Sequence, residues 1–185
     1  LGTLPRFYHL ACGSVFRAID TRSPIGQEFM RYSSTGQLVP DEITVKLWRD
    51  HIQSVIKMGY FKPDIDFLVL DGIPRVVNQA KLMDEMIDVR KVFHLTCPDR
   101  PQLVFRLKKR ALKDNRLDDA NEEVIHRRLR TYEEESKPVL DYYGSPLVQT
   151  IDALRTPAEV MLDILKTVTK LQDKENWQEL EMSEA

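Results

Sequence analysis

The sequence predicts an α/β fold built on a mostly parallel sheet, and three observations lead there. Phe67–Leu70, Val92–Cys97 and Leu147–Ile151 are continuous apolar-rich runs rather than alternating ones, the pattern of strands covered on both faces. Each run ends on a turn or an acidic residue, at Asp71-Gly72, Pro98-Asp99 and Asp152. Between the runs, apolar residues recur at helical spacing, so strands and helices alternate along the chain.

The elements follow in order. Phe7–Leu10 is a short strand before Gly13. Asp41 opens a helix through Ile56, with Ile43, Leu47 and Ile52 among its apolar positions and Asp41 as its cap. Val76–Met86 is a second helix, and Asp99–Leu112 a third that tolerates Pro101 in its first turn. Asn121–Glu135 follows, then Pro157–Leu171 with Val160, Ile164, Leu165 and Val168 on one face. The acidic segment 173–185 reads as a polar, frayed tail, and residues 1–172 as a single domain. Ligands of such sheets bind beyond the carboxyl ends of the strands, so chemistry is expected near Asp71, Asp99 and Asp152.

Composition narrows the function. Of 185 residues, 42% are apolar and 30% charged, which suits one well-packed core. A net charge of −2 gives no general case for binding nucleic acid or an anionic membrane. Cys12 and Cys97 lie far apart and form no CxxC pair, so they read as two reduced thiols rather than zinc ligands. With no signal segment and no apolar run long enough for a membrane span, the expectation is a cytoplasmic protein.

Three stretches carry the candidate chemistry. In Asp71-Gly72-Ile73-Pro74-Arg75, glycine admits a close ligand, proline stiffens the turn and Arg75 offers a planar fork for phosphate. Asp71 is placed to hold Mg2+ through water. These five residues alone fit an ordinary strand-to-helix turn equally well. The second stretch gathers Arg106, Arg110, Arg116, Arg127, Arg128 and Arg130 with Lys108, Lys109 and Lys113. A movable segment of this kind would surround a transferring phosphoryl group with positive charge. Judged alone, it reads as a solvated helix face paired with Glu122, Glu123 and Glu133–Glu135. The third, Cys12-Gly13-Ser14-Val15-Phe16-Arg17, is a small-residue turn entering a helix, with Phe16 as a core residue.

Taken together and in this order, these pieces resemble adenylate kinases. Leu10–Arg17 is similar to the family's Ser-Thr-Gly-Asp-φ-φ-Arg, where φ is apolar, and Gly36–Asp41 to its Gly-x-Leu-Val-Pro-Asp. Asp71–Arg75 resembles Asp-Gly-Phe-Pro-Arg, with Gln79 at the family's spacing. Arg116–Asp119, Asn121–Glu123 and Arg128-Leu129 resemble the lid and the helix beyond it, and Pro138–Tyr143 continues the match.

The resemblance implies a three-layer fold of the P-loop nucleoside monophosphate kinase type: a parallel sheet flanked by helices, with a small lid at about 110–120 and an acceptor-binding helical segment at about 12–60. It implies phosphoryl transfer from Mg-ATP to AMP, giving two ADP, by a monomer. Arg17 and Arg75 would hold the acceptor phosphate. Cys12, Gly13, Leu38, Val39 and Gly72 would enclose the rest of AMP, with Gln79 reading the adenine edge. Arg106 and Thr156 would meet the donor base, Arg110 the donor phosphates, and Arg110, Arg116 and Arg128 the phosphoryl group in flight. Mg2+ is the implied cofactor.

Two departures bear on these roles. Cys12 and Ser14 stand where the family has Thr and Asp, which leaves a UMP/CMP-type kinase as the alternative acceptor reading. The family's opening strand and Gly-x-x-Gly-x-Gly-Lys loop have no counterpart in these residues, and Leu1-Gly2-Thr3-Leu4-Pro5 reads as a chain entered midway. The expectation is a further N-terminal segment of roughly 20 to 25 residues carrying that loop. Without that loop, the expectation is a nucleotide-binding relative lacking turnover.

Overall fold

The computed structural model describes residues 1–35, 37–113 and 121–183, with the backbone alone for 17, 33, 34 and 173–183. It is an α/β structure whose described strands all pair in parallel and are flanked by helices. Its residues group into two compact units, Leu1–Ile87 with Leu107–Val139, and Asp88–Arg106 with Leu140–Ala185.

In the first unit, β1 (Phe7–Ala11) pairs with β2 (Phe67–Asp71), the register running from Phe7 opposite Phe67 to Ala11 opposite Asp71. The rings of Phe7 and Phe67 stack at 5.1 Å, a cross-strand pair that helps set this register. β1 runs straight into α1 (Cys12–Arg17), so Cys12 begins a helix at the carboxyl end of a strand.

α2 (Pro24–Thr35) follows, a helix the apolar pattern did not announce. Its start is built by Ser23, whose Oγ accepts the Gly26 N–H at 3.1 Å, with Pro24 in the first helical position. Gly26 is required by space: a Cβ there would stand 2.2 Å from the Asp20 carbonyl oxygen.

α3 (Asp41–Lys57) supplies most of the unit's core. Thr44, Val45, Trp48, Ile52 and Val55 recur at three- and four-residue intervals and are buried. Trp48, Ile52 and Val55 join Leu10, Cys12, Phe16, Phe61, Ile73 and Met83 in one cluster. Each large apolar side chain sunk this far contributes roughly 1.5–3 kcal/mol. Phe16 is a core residue as its sequence suggested, stacked on Phe29 at 4.8 Å. Asp41, however, does not cap α3. The capping position falls on Pro40 without a side-chain hydrogen bond, and the Asp41 carboxylate turns to residues far along the chain.

After β2 comes α4 (Val77–Asp84), whose Gln79, Ala80 and Met83 are buried. α5 (Arg100–Lys113) begins where Asp99 Oδ1 accepts the Gln102 N–H at 2.9 Å, and α6 (Glu122–Thr131) begins at Asn121, whose side chain accepts the Glu123 N–H at 2.8 Å. Ile125 anchors α6, fully buried. The expected helix through Glu135 changes character at Tyr132–Ser136, one π-helical turn.

In the second unit, β3 (Val92–Thr96) pairs in parallel with β4 (Val148–Asp152), Val92 opposite Val148 and Thr96 opposite Asp152. Among the described residues the strands thus form two two-stranded ladders rather than one continuous sheet. Leu95 keeps half its surface exposed, so this ladder is less fully covered than its apolar run suggested. α7 (Pro138–Leu147) is broken at Gly144, whose φ of +73° leaves the helix and admits Pro146 beyond it. α8 (Pro157–Ser183) continues past Leu171, where the apolar pattern ends. No helix among the described residues is long and apolar enough to cross a membrane.

Candidate functional site

The carboxyl ends of β1 and β2 lie side by side, Ala11 opposite Asp71, so the residues after each strand converge. Cys12 comes from one and Gly72 from the other. A Cβ built on Gly72 would lie 4.0 Å from Cys12 Cβ and 3.4 Å from a terminal nitrogen of Arg75. Gly72 also holds φ at +79°, where an L side chain is strained. The turn thus needs glycine twice over, for its conformation and for the guanidinium beside it. The Ile73–Pro74 peptide is cis.

Arg75 folds back over this turn, its Nε donating to the Gly72 carbonyl at 3.0 Å. Nη1 and Nη2 take no hydrogen bond among the described residues, so the fork remains to be used. One face of Arg75 is exposed, yet enough atoms crowd the guanidinium that desolvation pushes its pKa down. Arg128 and Arg110 push the same way as like charges, while Cys12 and Asp71 oppose them more weakly as a group. Three guanidinium groups are therefore gathered on one unit around one strand end. Gathering like charge costs stability in the empty state, and an anion placed among these groups relieves that cost.

Cys12 is 4% exposed, and desolvation pushes its thiol up to about 11, with Arg75 pulling it down and Asp71 pushing it up. It faces the site as a neutral thiol. Cys12 and Cys97 are both free. Gly13 lies one residue further along α1. Arg17 ends α1, and its side chain lies outside the described residues.

Beside this turn opens a cleft of about 480 Å3, lined by Leu38, Val39, Pro40, Asp41, Val76, Val77, Asn78 and Glu135. That size suits a small ligand. Leu38 and Val39 were expected here. The segment is pinned by Thr44, whose N–H and hydroxyl donate to the carbonyls of Pro40 and Val39. Gln79, expected at a base edge, is 1% exposed and lies behind the lining. Its Oε1 accepts the Arg75 N–H at 2.8 Å and its Nε2 donates to Asp41 Oδ1 at 2.8 Å. Asn78 Nδ2 donates to the other Asp41 oxygen, also at 2.8 Å. The sequence reading missed this use of Asp41, since nothing local announces a partner 37 residues away.

Asp71 ends β2 with an exposed carboxylate, 3.9 Å from His9 Nε2. A single accessible carboxylate beside a phosphate-sized cradle suits Mg2+, which takes few protein ligands and completes its shell with water and phosphate oxygens. No group of three or more His, Cys, Asp or Glu side chains able to hold a metal occurs among the described residues.

The basic stretch divides by partner. Lys108 pairs with Glu122 at 2.7 Å, and Arg127 donates to the Thr35 carbonyl at 2.8 Å, closing the end of α2. Arg110 and Arg128 are the members whose charge reaches Arg75. Arg116 and most of the expected lid lie outside the described residues.

In the second unit Arg106 bridges to the loop after β4, donating to the carbonyls of Ala153 at 2.6 Å and Leu154 at 3.2 Å. That ties the predicted donor-base arginine to the predicted donor-base loop. Thr156, the other candidate here, is engaged in a capping box. Its hydroxyl and N–H donate to Glu159 Oε2 at 2.6 and 2.9 Å, and its Oγ1 accepts the Glu159 N–H at 3.3 Å.

Comparison with known proteins agrees with this geometry. A family profile described as adenylate kinase matches residues 4–147. An adenylate kinase of Cyanothece sp. is 33% identical over 171 residues, 88% of this chain and 83% of that protein. One from Bacteroides thetaiotaomicron is 34% identical over 170 residues, 88% and 85% of the two chains. A third, from Mycolicibacterium vanbaalenii, is 35% identical over 165 residues, 86% and 83%. The chain belongs to the adenylate kinase family, a family of nucleoside monophosphate kinases.

Proposed function

We propose that the protein transfers the terminal phosphoryl group of Mg-ATP to AMP, giving two ADP. The observation that carries this is the gathering of Arg75, Arg110 and Arg128 around the end of β2, with the fork of Arg75 left for an anion. The names of the relatives support the same substrates.

In this reading Arg75, with Arg17, grips the AMP phosphate. Cys12, Gly13 and Gly72 keep backbone close to it, while Leu38 and Val39 enclose the nucleoside and Gln79 addresses the base. Arg106 and Thr156 meet the donor base. An oxygen of the AMP phosphate attacks the terminal phosphorus of ATP, the bond from that phosphorus to its bridging oxygen breaks, and ADP leaves. Charge on the non-bridging oxygens is met by Arg110, Arg116 and Arg128, so catalysis is positioning plus electrostatic stabilisation, without a covalent enzyme intermediate. Mg2+, held through water by Asp71, would neutralise charge on the donor phosphates. The sequence's expectations of a cytoplasmic monomer belong to the same reading.

The test is acceptor competition: ATP with equal AMP, CMP and UMP, products separated by chromatography. Consumption of AMP ahead of the pyrimidine nucleotides is expected. Preference for CMP or UMP would replace AMP as the acceptor.

A further inference from the structure

We infer that Asp41 is a positioning residue that selects the acceptor base, by locking the carboxamide of Gln79 so that it meets a 6-amino purine and turns away a 6-oxo purine. The inference rests on the AMP reading above. It starts from what each partner of Gln79 is able to do. A carboxylate accepts hydrogen bonds and cannot donate; a backbone N–H donates and cannot accept. Asp41 Oδ1 therefore requires the Nε2 end of the amide, and the Arg75 N–H requires the Oε1 end. Rotating the amide by half a turn would set donor against donor at one end and acceptor against acceptor at the other. At 1% exposure no water stands ready to relieve that conflict.

The locked amide retains one N–H and one oxygen lone pair on adjacent atoms. Adenine presents a ring acceptor next to an amino donor, the complement of that pair. Hypoxanthine, of the same shape, presents a ring N–H next to an oxo group, the reverse. Asp41 and Asn78 both line the cleft, with Gln79 directly behind them, so the lock sits where a base would lie. Asn78 is part of the device. It occupies the second Asp41 oxygen, so an amide at position 41 would have one oxygen for two donors.

The test compares binding of AMP and IMP by calorimetry in the wild type and in Asp41→Asn, which keeps shape but leaves Gln79 and Asn78 competing for one acceptor. The AMP-over-IMP affinity ratio should fall about tenfold, the scale of one charge-assisted hydrogen bond. A merely structural role would lower the melting temperature and shift both affinities together, leaving the ratio unmoved, and that outcome overturns the inference. A second reading needs no variant: in amide NMR of the wild type, the Gln79 side-chain protons should be slow to exchange, and rapid exchange contradicts the lock. A wild type that binds no AMP would remove the acceptor reading, while the NMR result would still decide whether Asp41 holds the amide.

Discussion

Replacing Arg75 with alanine should separate binding from stability. In the empty protein the arginine makes one hydrogen bond, from Nε to the Gly72 carbonyl at 3.0 Å, with a net value of about 0.5–1.5 kcal/mol. Against that stands the cost of holding a desolvated guanidinium near Arg128 and Arg110, the two like charges that help push its pKa down. The terms oppose one another, so stability should stay within about 1 kcal/mol of wild type, or roughly 3 °C in melting temperature. Binding has no such offset. Charge-assisted hydrogen bonds from the fork to a phosphate are worth about 1.5–3 kcal/mol, so AMP affinity should fall roughly ten- to a hundredfold. Calorimetric titration with AMP and scanning calorimetry of the same samples read both quantities. Arg75→Lys should recover only part of the affinity, since it keeps the charge and loses the fork. Unchanged AMP affinity, or a melting temperature lowered by more than about 10 °C, would refute the reasoning, because the arginine would then be a structural strut.

Three further expectations follow from the same geometry. Gly72→Ala forces an L side chain to φ of +79° and sets a methyl 3.4 Å from the Arg75 guanidinium; urea unfolding should show a loss of about 1–2 kcal/mol, and AMP affinity should fall as well. The Cys12 thiol, pushed up to about 11 by burial, keeps its proton in the folded state between about pH 9 and 11 while the unfolded chain releases it. The unfolded state then binds fewer protons, so stability should decline across that window by on the order of 2 kcal/mol, a decline that Cys12→Ala should lack in denaturant titrations at each pH. Thr156→Ala removes the capping box at the start of α8 and should cost about 1 kcal/mol of stability by thermal melting, with AMP affinity unchanged.

What the sequence disclosed, and what it did not, divides by the range of the forces involved. The strands were legible because runs such as Phe67–Leu70 are continuous and stop at turn residues. α3 was legible because its apolar positions recur at helical spacing. α2 was missed although Ser23-Pro24 is a start signal, because Gly26 and the closing Ser33-Ser34-Thr35 weaken the helical pattern. The arginines between 106 and 130 are chemically alike, and only tertiary structure separates Arg127, which closes α2, from Arg110 and Arg128, whose charge reaches Arg75. Asp41 was read as a helix cap because its position just before an apolar-periodic run favours that role. Its partners at 78 and 79 are brought to it by packing that no local pattern encodes. The motif around Asp71–Arg75 was visible as residues, but its meaning depends on Gly72 and Cys12 meeting across β1 and β2, a consequence of register.

The central claim, phosphoryl transfer to AMP, is tested most directly by 31P NMR of the protein with ATP, AMP and Mg2+. The account predicts that ATP and AMP decline together while ADP rises at two for each pair consumed. ATP consumed with phosphate released and AMP untouched, or no change in any of the three, would contradict it.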